Sequence, residues 1–93
     1  MIPLAPTAVT LESNVPTNKF TLESSAVLTC LATGGQDYTF KDAADSVVQA
    51  KSTSNTYTIS SFSTSSAQDY TCEASNEAGD TASAPLTLIL SES

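Results

Sequence analysis

Apolar and polar residues alternate in the two segments of the chain that carry its cysteines. In residues 26–32 the apolar side chains occupy every second position: Ala26, Leu28, Cys30 and Ala32. In residues 69–75 they are Tyr70, Cys72 and Ala74. Alternation with period two predicts a β-strand with one buried face. Both cysteine side chains are therefore expected in one common core.

Similar segments recur along the chain at intervals of about 8–12 residues, which is the spacing of an all-β domain. Strands are predicted over residues 8–12, 26–32, 37–41, 47–51, 56–60, 69–75 and 81–90. The first strand breaks at Asn14-Val15-Pro16, since proline cannot donate to a β-ladder, and resumes at Phe20 and Leu22. Turns are predicted at Gly34-Gly35 and over residues 76–79. No helical period of comparable strength occurs, so we expect a single all-β domain over residues 4–91.

Two states of the cysteines fit this pattern. A buried cysteine can be a free thiol, because it behaves as a small hydrophobic residue. A disulfide between Cys30 and Cys72 would close a long loop and contribute about 4 kcal/mol on the chain-entropy account. The placement of both residues in phase on two half-buried strands favours the disulfide, and with it an oxidising compartment.

The charge balance excludes several kinds of partner. Ten acidic residues against three lysines give a net charge of −7, and the chain has neither arginine nor histidine. Without a basic stretch to meet phosphates, neither nucleic acid nor an anionic membrane surface is an expected partner. No apolar run approaches the roughly 20 residues of a membrane helix. A membrane anchor is therefore expected only in a parent chain outside this segment.

The segment 57–79, YTISSFSTSSAQDYTCEASNEAG, resembles intermediate-set and C2-set immunoglobulin domains. Those domains share an apolar-x-apolar pattern, a third apolar residue, Tyr-x-Cys and an Asn-x-x-Gly hairpin. AVLTCLATG at residues 26–34 and the split first strand extend the similarity over most of the chain. The resemblance implies an immunoglobulin-like β-sandwich of two antiparallel sheets in Greek-key order, with Cys30 and Cys72 joining the sheets. It also implies a tyrosine corner, in which the Tyr70 hydroxyl bonds backbone near Ser66.

The chain departs from this family in two places. The core tryptophan is missing, and Phe40 takes its position with less area and no indole donor. The aspartate usually found six residues before the second cysteine is Ser66 here, and the chain lacks the arginine that would pair with it. The sequence is therefore identified as a divergent member.

Catalysis is not expected. Histidine, the commonest general base, is absent. Two pairs of carboxylates, Asp42 with Asp45 and Glu77 with Asp80, lie in predicted loops and lack the dense oxygen spacing of a calcium loop. We predict no catalytic residue, no metal site and no cofactor.

Recognition is the remaining class of function. The alternation places Asp37, Thr39 and Lys41 on the outer face of one strand, and Thr71, Glu73 and Ser75 on that of another. All six aromatic residues are assigned to the core, so this face lacks the side chains that dominate binding energy. Lys41 is predicted opposite Glu73 as a surface ion pair. The candidate binding residues are Lys41, Glu73 and the hairpin residues Asn76, Glu77, Gly79 and Asp80, where the alternative is a turn without further role.

The resemblance implies an extracellular module of a cell-surface or secreted protein. Such a module serves cell adhesion or receptor recognition through protein partners, or acts as a spacer. A second copy of the chain is one such partner, because few lysines guard the first and last strands against edge-to-edge pairing. The alternative is a structural domain of an intracellular muscle or cytoskeletal protein, in which the thiols would be reduced.

Overall fold

A computed structural model describes residues 4–91 of the chain. Its strands are β1 (Thr7–Ser13), β2 (Lys19–Phe20), β3 (Ala26–Thr33), β4 (Asp37–Lys41), β5 (Val47–Ser52), β6 (Thr56–Ile59), β7 (Asp69–Asn76), β8 (Gly79–Ala82), β9 (Leu86–Thr87) and β10 (Ile89–Leu90). One turn of 3-10 helix lies at Thr64–Ser66. The all-β prediction is therefore confirmed, and most predicted strand bounds agree to within two residues.

Most of the strands form two antiparallel layers. One sheet has the order β1-β3-β6 and the other the order β5-β4-β7-β8, with β9 also paired to β7. At the predicted break in the first strand, the chain changes its pairing partner. β1 pairs with β3, whereas β2 pairs in parallel with β10. The chain is an immunoglobulin-like β-sandwich, as the sequence predicts.

The core fills the space between the two layers. Its largest fully buried side chains include Leu28, Phe40, Phe62 and Leu88. Phe20 stacks on Phe62 with ring centroids 5.2 Å apart. The remaining aromatic residues follow the predicted phase, since Tyr70 is buried and Tyr38 and Tyr57 are half-buried against the cluster. Leu, Phe and Tyr side chains of both sheets thus exclude water from the interior.

The single strand predicted over residues 81–90 is wrong, because the structure divides it into β8, β9 and β10. Pro85 lacks a backbone N–H and interrupts the ladder. Leu86 and Leu90 are half-buried and Leu88 is buried, so the alternation of these leucines survives the break. The apolar pattern therefore predicted the facing of the side chains but not the hydrogen bonds of the backbone.

No helix within residues 4–91 is long and apolar enough to cross a membrane.

Candidate functional site

A disulfide joins the two sheets at the centre of the sandwich. The sulfur atoms of Cys30 on β3 and Cys72 on β7 are 2.08 Å apart, and their Cα atoms 6.1 Å. Both residues are almost completely buried. Phe40 lies directly opposite Cys72 in the β4–β7 register and is also fully buried. The phenyl ring thus occupies a position beside the cystine.

Tyr70 ties the start of β7 to the 3-10 turn before it. Its hydroxyl donates a hydrogen bond to the Ser66 carbonyl oxygen at 3.1 Å. The side chain is 4% exposed. Burial raises the pKa of the Tyr70 phenol above its ordinary value, and the neighbouring Tyr57 adds to the shift. The hydroxyl therefore stays protonated and can donate throughout the physiological pH range.

Ser83 is a buried residue that the sequence pattern did not single out. Its backbone N–H donates to the Cys72 carbonyl oxygen at 2.7 Å. The Cys72 N–H in turn donates to Ser83 Oγ at 3.0 Å, and that hydroxyl donates to the Ala84 carbonyl oxygen at 3.0 Å. A side-chain oxygen thus replaces a backbone acceptor where the strand breaks before Pro85. A serine two residues before a proline is a weak signal, since serine is common throughout this chain.

The Asn76 side chain joins three segments at one end of the sandwich. Its Oδ1 accepts hydrogen bonds from the backbone N–H groups of Ala78 at 2.7 Å and Gly79 at 3.2 Å. Its Nδ2 donates to the carbonyl oxygens of Leu4 at 2.7 Å and Gly34 at 2.9 Å. Both ends of the amide are therefore occupied within the chain, and Glu77 and Asp80 are the exposed charged side chains of the hairpin.

The predicted opposition of Lys41 and Glu73 is wrong. Lys41 pairs with Thr71, and Glu73 pairs with Thr39. The pairing of Phe40 with Cys72 fixes this register, so Lys41 is a diagonal rather than a direct neighbour of Glu73. The Lys41 Nζ instead lies 3.7 Å from Asp45 Oδ1. Asp45 is turned back toward the strand by a tight loop with a positive φ of 64°.

That loop is held by a carboxylate. Asp42 Oδ1 accepts hydrogen bonds from the backbone N–H groups of Ala44 at 2.9 Å and Ser46 at 3.0 Å. Aspartate commonly stabilises turns in this way. Within residues 4–91, no group of three or more histidine, cysteine, aspartate or glutamate residues is arranged to hold a metal ion.

The outer face of β4, β7 and β8 carries a row of polar residues in direct register. Asp37 pairs with Ser75, and Ser75 pairs with Asp80. Lys51 of the edge strand β5 reaches over this face, with its Nζ 4.0 Å from Asp80 Oδ1. Thr39 lies on this face in register with Glu73, yet both Thr39 and Ser75 are buried, at 7% and 2% exposed. The alternation gave the facing of Asp37 and Ser75, but it could not give the pairing of β8 with β7 that aligns Asp80.

An open cleft of about 360 Å³ lies beside β1. It is lined by Leu11, Glu12, Ser13, Val15, Pro16, Asn18 and Leu86. Within this cleft the Ser13 hydroxyl donates a hydrogen bond to Asn18 Oδ1 at 2.6 Å. Ser13 Oγ also lies 2.6 Å from the Val15 carbonyl oxygen, so its hydrogen-bond acceptors in this cleft are uncharged oxygens.

The comparisons with known proteins show similarity in fold alone. No protein-family model and no curated protein sequence matches the chain. Among solved structures it is similar to the second Ig-C2 domain of human Fc-receptor like A, with TM-score 0.79 and 24% identity over 91% of this chain and 98% of that one.

Two larger structures contain similar domains. Immunoglobulin domains 1–5 of Sidekick-1 match with TM-score 0.72 and 23% identity over 88% of this chain and 18% of that one. The N-terminal four Ig domains of Dscam1 isoform 6.9 match with TM-score 0.70 and 18% identity over 89% and 21%. The topology, the disulfide between the sheets and these likenesses agree: the chain has the fold of an immunoglobulin-like domain.

Proposed function

We propose that residues 4–91 form a single extracellular recognition module of a larger cell-surface or secreted protein, and that it binds a protein partner without catalysis. The Cys30–Cys72 disulfide carries this proposal. Disulfides persist in oxidising compartments and are rare in the cytosol. The domain is also small, so its margin of stability benefits from a cross-link.

The solved structures of similar fold support the proposal. They include an Ig-C2 domain of a protein named Fc-receptor like A and domains from proteins that carry several immunoglobulin domains in series. A fold alone does not determine function. The non-catalytic part of the proposal therefore depends on the composition of the chain, which lacks histidine, the commonest general base.

The experiment is a binding assay on the oxidised domain. The domain is tetramerised to gain avidity and applied to cells, and beads coated with it are tested for self-aggregation. A recognition module gives saturable cell binding that trypsin treatment of the cells removes, or it gives bead aggregation. A domain that does neither is a spacer, which contradicts the recognition role. Domain carrying the Cys30→Ala and Cys72→Ala substitutions serves as the control for fold-dependent binding.

A further inference from the structure

The row Asp37, Ser75 and Asp80 crosses three neighbouring strands on the outer face of the larger sheet. Each aspartate is the direct register partner of Ser75, on opposite sides of it. Cys72 and Ala74 point into the core, so Ser75 faces outward by the alternation of β7. Two carboxylates therefore flank one hydroxyl on the outer face of this sheet.

Ser75 Oγ is a buried polar atom without a hydrogen-bond partner among the described residues. The residue is 2% exposed. Buried polar side chains are rarely left unpaired, because the loss of hydration is not repaid. An unpaired hydroxyl between two carboxylates marks a position that a hydrogen-bonding group from outside can complete.

A cation of the chain itself already reaches this row. The Lys51 Nζ lies 4.0 Å from Asp80 Oδ1 although Lys51 belongs to β5, at the far edge of the sheet. Since β4 and β7 lie between the two strands, the lysine stem must cross the outer face to make this contact. Such a stem covers the surface beneath it while its charge stays in water. The ion pair is half-exposed and therefore weak, so a better cation can displace it.

The spacing of the row selects the kind of cation. Strands in a sheet are about 4.8 Å apart, so Asp37 and Asp80 lie roughly 10 Å apart between Cα atoms. A calcium ion must touch both carboxylates at about 2.4 Å, which requires both side chains to lean fully over Ser75. A planar guanidinium donates along several directions to oxygens about 2.8 Å away, so it spans a wider gap.

We propose that this row binds the guanidinium of an arginine on a protein partner, with Asp37 and Asp80 accepting its N–H groups and Ser75 Oγ as a further acceptor. This inference depends on the proposed recognition function and names the chemistry of the partner. The chain contains no arginine. A second copy of this domain therefore cannot supply the group, so the arginine comes from a protein segment outside this sequence.

The test uses N-acetyl-arginine amide as the probe, titrated into the isotope-labelled oxidised domain at low ionic strength and followed by NMR. We expect saturable shifts centred on the amides of Asp37, Ser75 and Asp80, with a dissociation constant in about the millimolar range. N-acetyl-lysine amide and calcium chloride are titrated in parallel. Both should bind this row at least about threefold more weakly, because neither has the donor fork of arginine.

Variants distinguish binding at this row from nonspecific attraction of the probe to the acidic chain. Asp37→Asn and Asp80→Asn should each weaken probe binding about threefold, and Lys51→Ala should tighten it about twofold by removing the competing ammonium. Ser75→Ala should weaken binding while keeping or raising the melting temperature, since it removes an unpaired buried hydroxyl. Glu12→Gln is the matched control, because it deletes one exposed charge on the other sheet and should leave binding unchanged.

Equal shifts with the lysine probe, tighter binding of calcium, or an equal effect of Glu12→Gln would each overturn the proposal. The probe assay needs no natural partner, so its outcome is independent of cell binding. If the domain binds cells and Asp37→Asn and Asp80→Asn leave that binding unchanged, recognition stands and the arginine site is refuted. If the probe binds as expected and the cell and bead assays are negative, the recognition function fails instead.

Discussion

Phe40 and Cys72 are direct partners across the β4–β7 pair, and both are buried. The phenyl ring therefore packs beside the disulfide at the centre of the core. This relationship links the register of the larger sheet to the cross-link between the sheets. It also places a buried aromatic ring beside the cystine in a core that has no tryptophan.

Phe40→Ala should remove much of the stability of the domain. Truncating a fully buried phenylalanine costs about 3–5 kcal/mol, because transfer energy is lost and a cavity remains. Domains of this size have about 5–15 kcal/mol in total. Urea unfolding followed by circular dichroism measures the loss. Val47→Ala, at a side chain that is 55% exposed, is the control and should change little. A loss below about 1 kcal/mol for Phe40→Ala would contradict the packing described here.

Ser83→Ala should destabilise the domain although it removes only one oxygen. The Cys72 N–H would lose its acceptor inside the sandwich. A buried donor without a partner costs about 1–3 kcal/mol. Amide hydrogen exchange should show faster exchange at Cys72 in the variant. The exposed Ser61 provides a matched Ser61→Ala control, for which both stability and exchange should stay as in the parent. Unchanged exchange at Cys72 in Ser83→Ala would exclude the bridging role.

Two substitutions at Asn76 separate its two structural roles. Asn76→Asp keeps an oxygen for the Ala78 and Gly79 N–H groups but loses the donor to the Leu4 and Gly34 carbonyls. Asn76→Ala loses all of these contacts and should cost more, by about 1 kcal/mol. NMR shifts should change around Leu4 and Gly34 in both variants, and at the hairpin chiefly in the alanine variant. Equal destabilisation by both substitutions would refute this division, and the exposed Glu77→Ala is the control.

Tyr70 should make stability fall at alkaline pH. Because burial raises its pKa in the folded state, the unfolded chain loses the phenolic proton first as the pH rises. The contribution is complete below the ordinary tyrosine pKa of 10.0 and declines as the pH rises toward the folded-state value. Tyr70→Phe should cost about 1 kcal/mol at neutral pH and flatten this decline.

Urea midpoints measured from neutral pH to above pH 10 test this dependence. Tyr38→Phe is the control, since the Tyr38 hydroxyl has no hydrogen bond to another described residue. It should retain the alkaline decline that Tyr70→Phe weakens. Parallel stability profiles for the parent and Tyr70→Phe would contradict the assignment.

The buried faces of the sandwich could be predicted from the sequence because side chains alternate with a period of two. Cys30 and Cys72 each lie in such an alternating run, so the direction of their side chains could be predicted without knowing the partner strand. The Tyr70 to Ser66 contact came from the family resemblance and joins residues only four positions apart. Both predictions concern local pattern, which is where sequence is most informative.

Contacts between distant segments could not be predicted in this way. Lys41 and Glu73 were predicted as direct partners but are diagonal neighbours. The pattern predicts the face on which a strand residue lies but not the register between strands. The contact between Lys51 on β5 and Asp80 on β8 depends on the order of the strands in the sheet. Ser83 accepts a hydrogen bond from the Cys72 N–H where the strand breaks before Pro85. The alternation of apolar and polar residues does not predict this contact.

The redox state of the cysteines tests the central claim most directly. The protein is isolated from the cells that naturally make it under conditions that block thiol exchange, denatured, and titrated for free thiols before and after reduction. An extracellular immunoglobulin-like module should show no titratable thiol before reduction and both afterwards. Two titratable thiols in the unreduced protein would contradict the extracellular account and favour a structural domain of an intracellular protein.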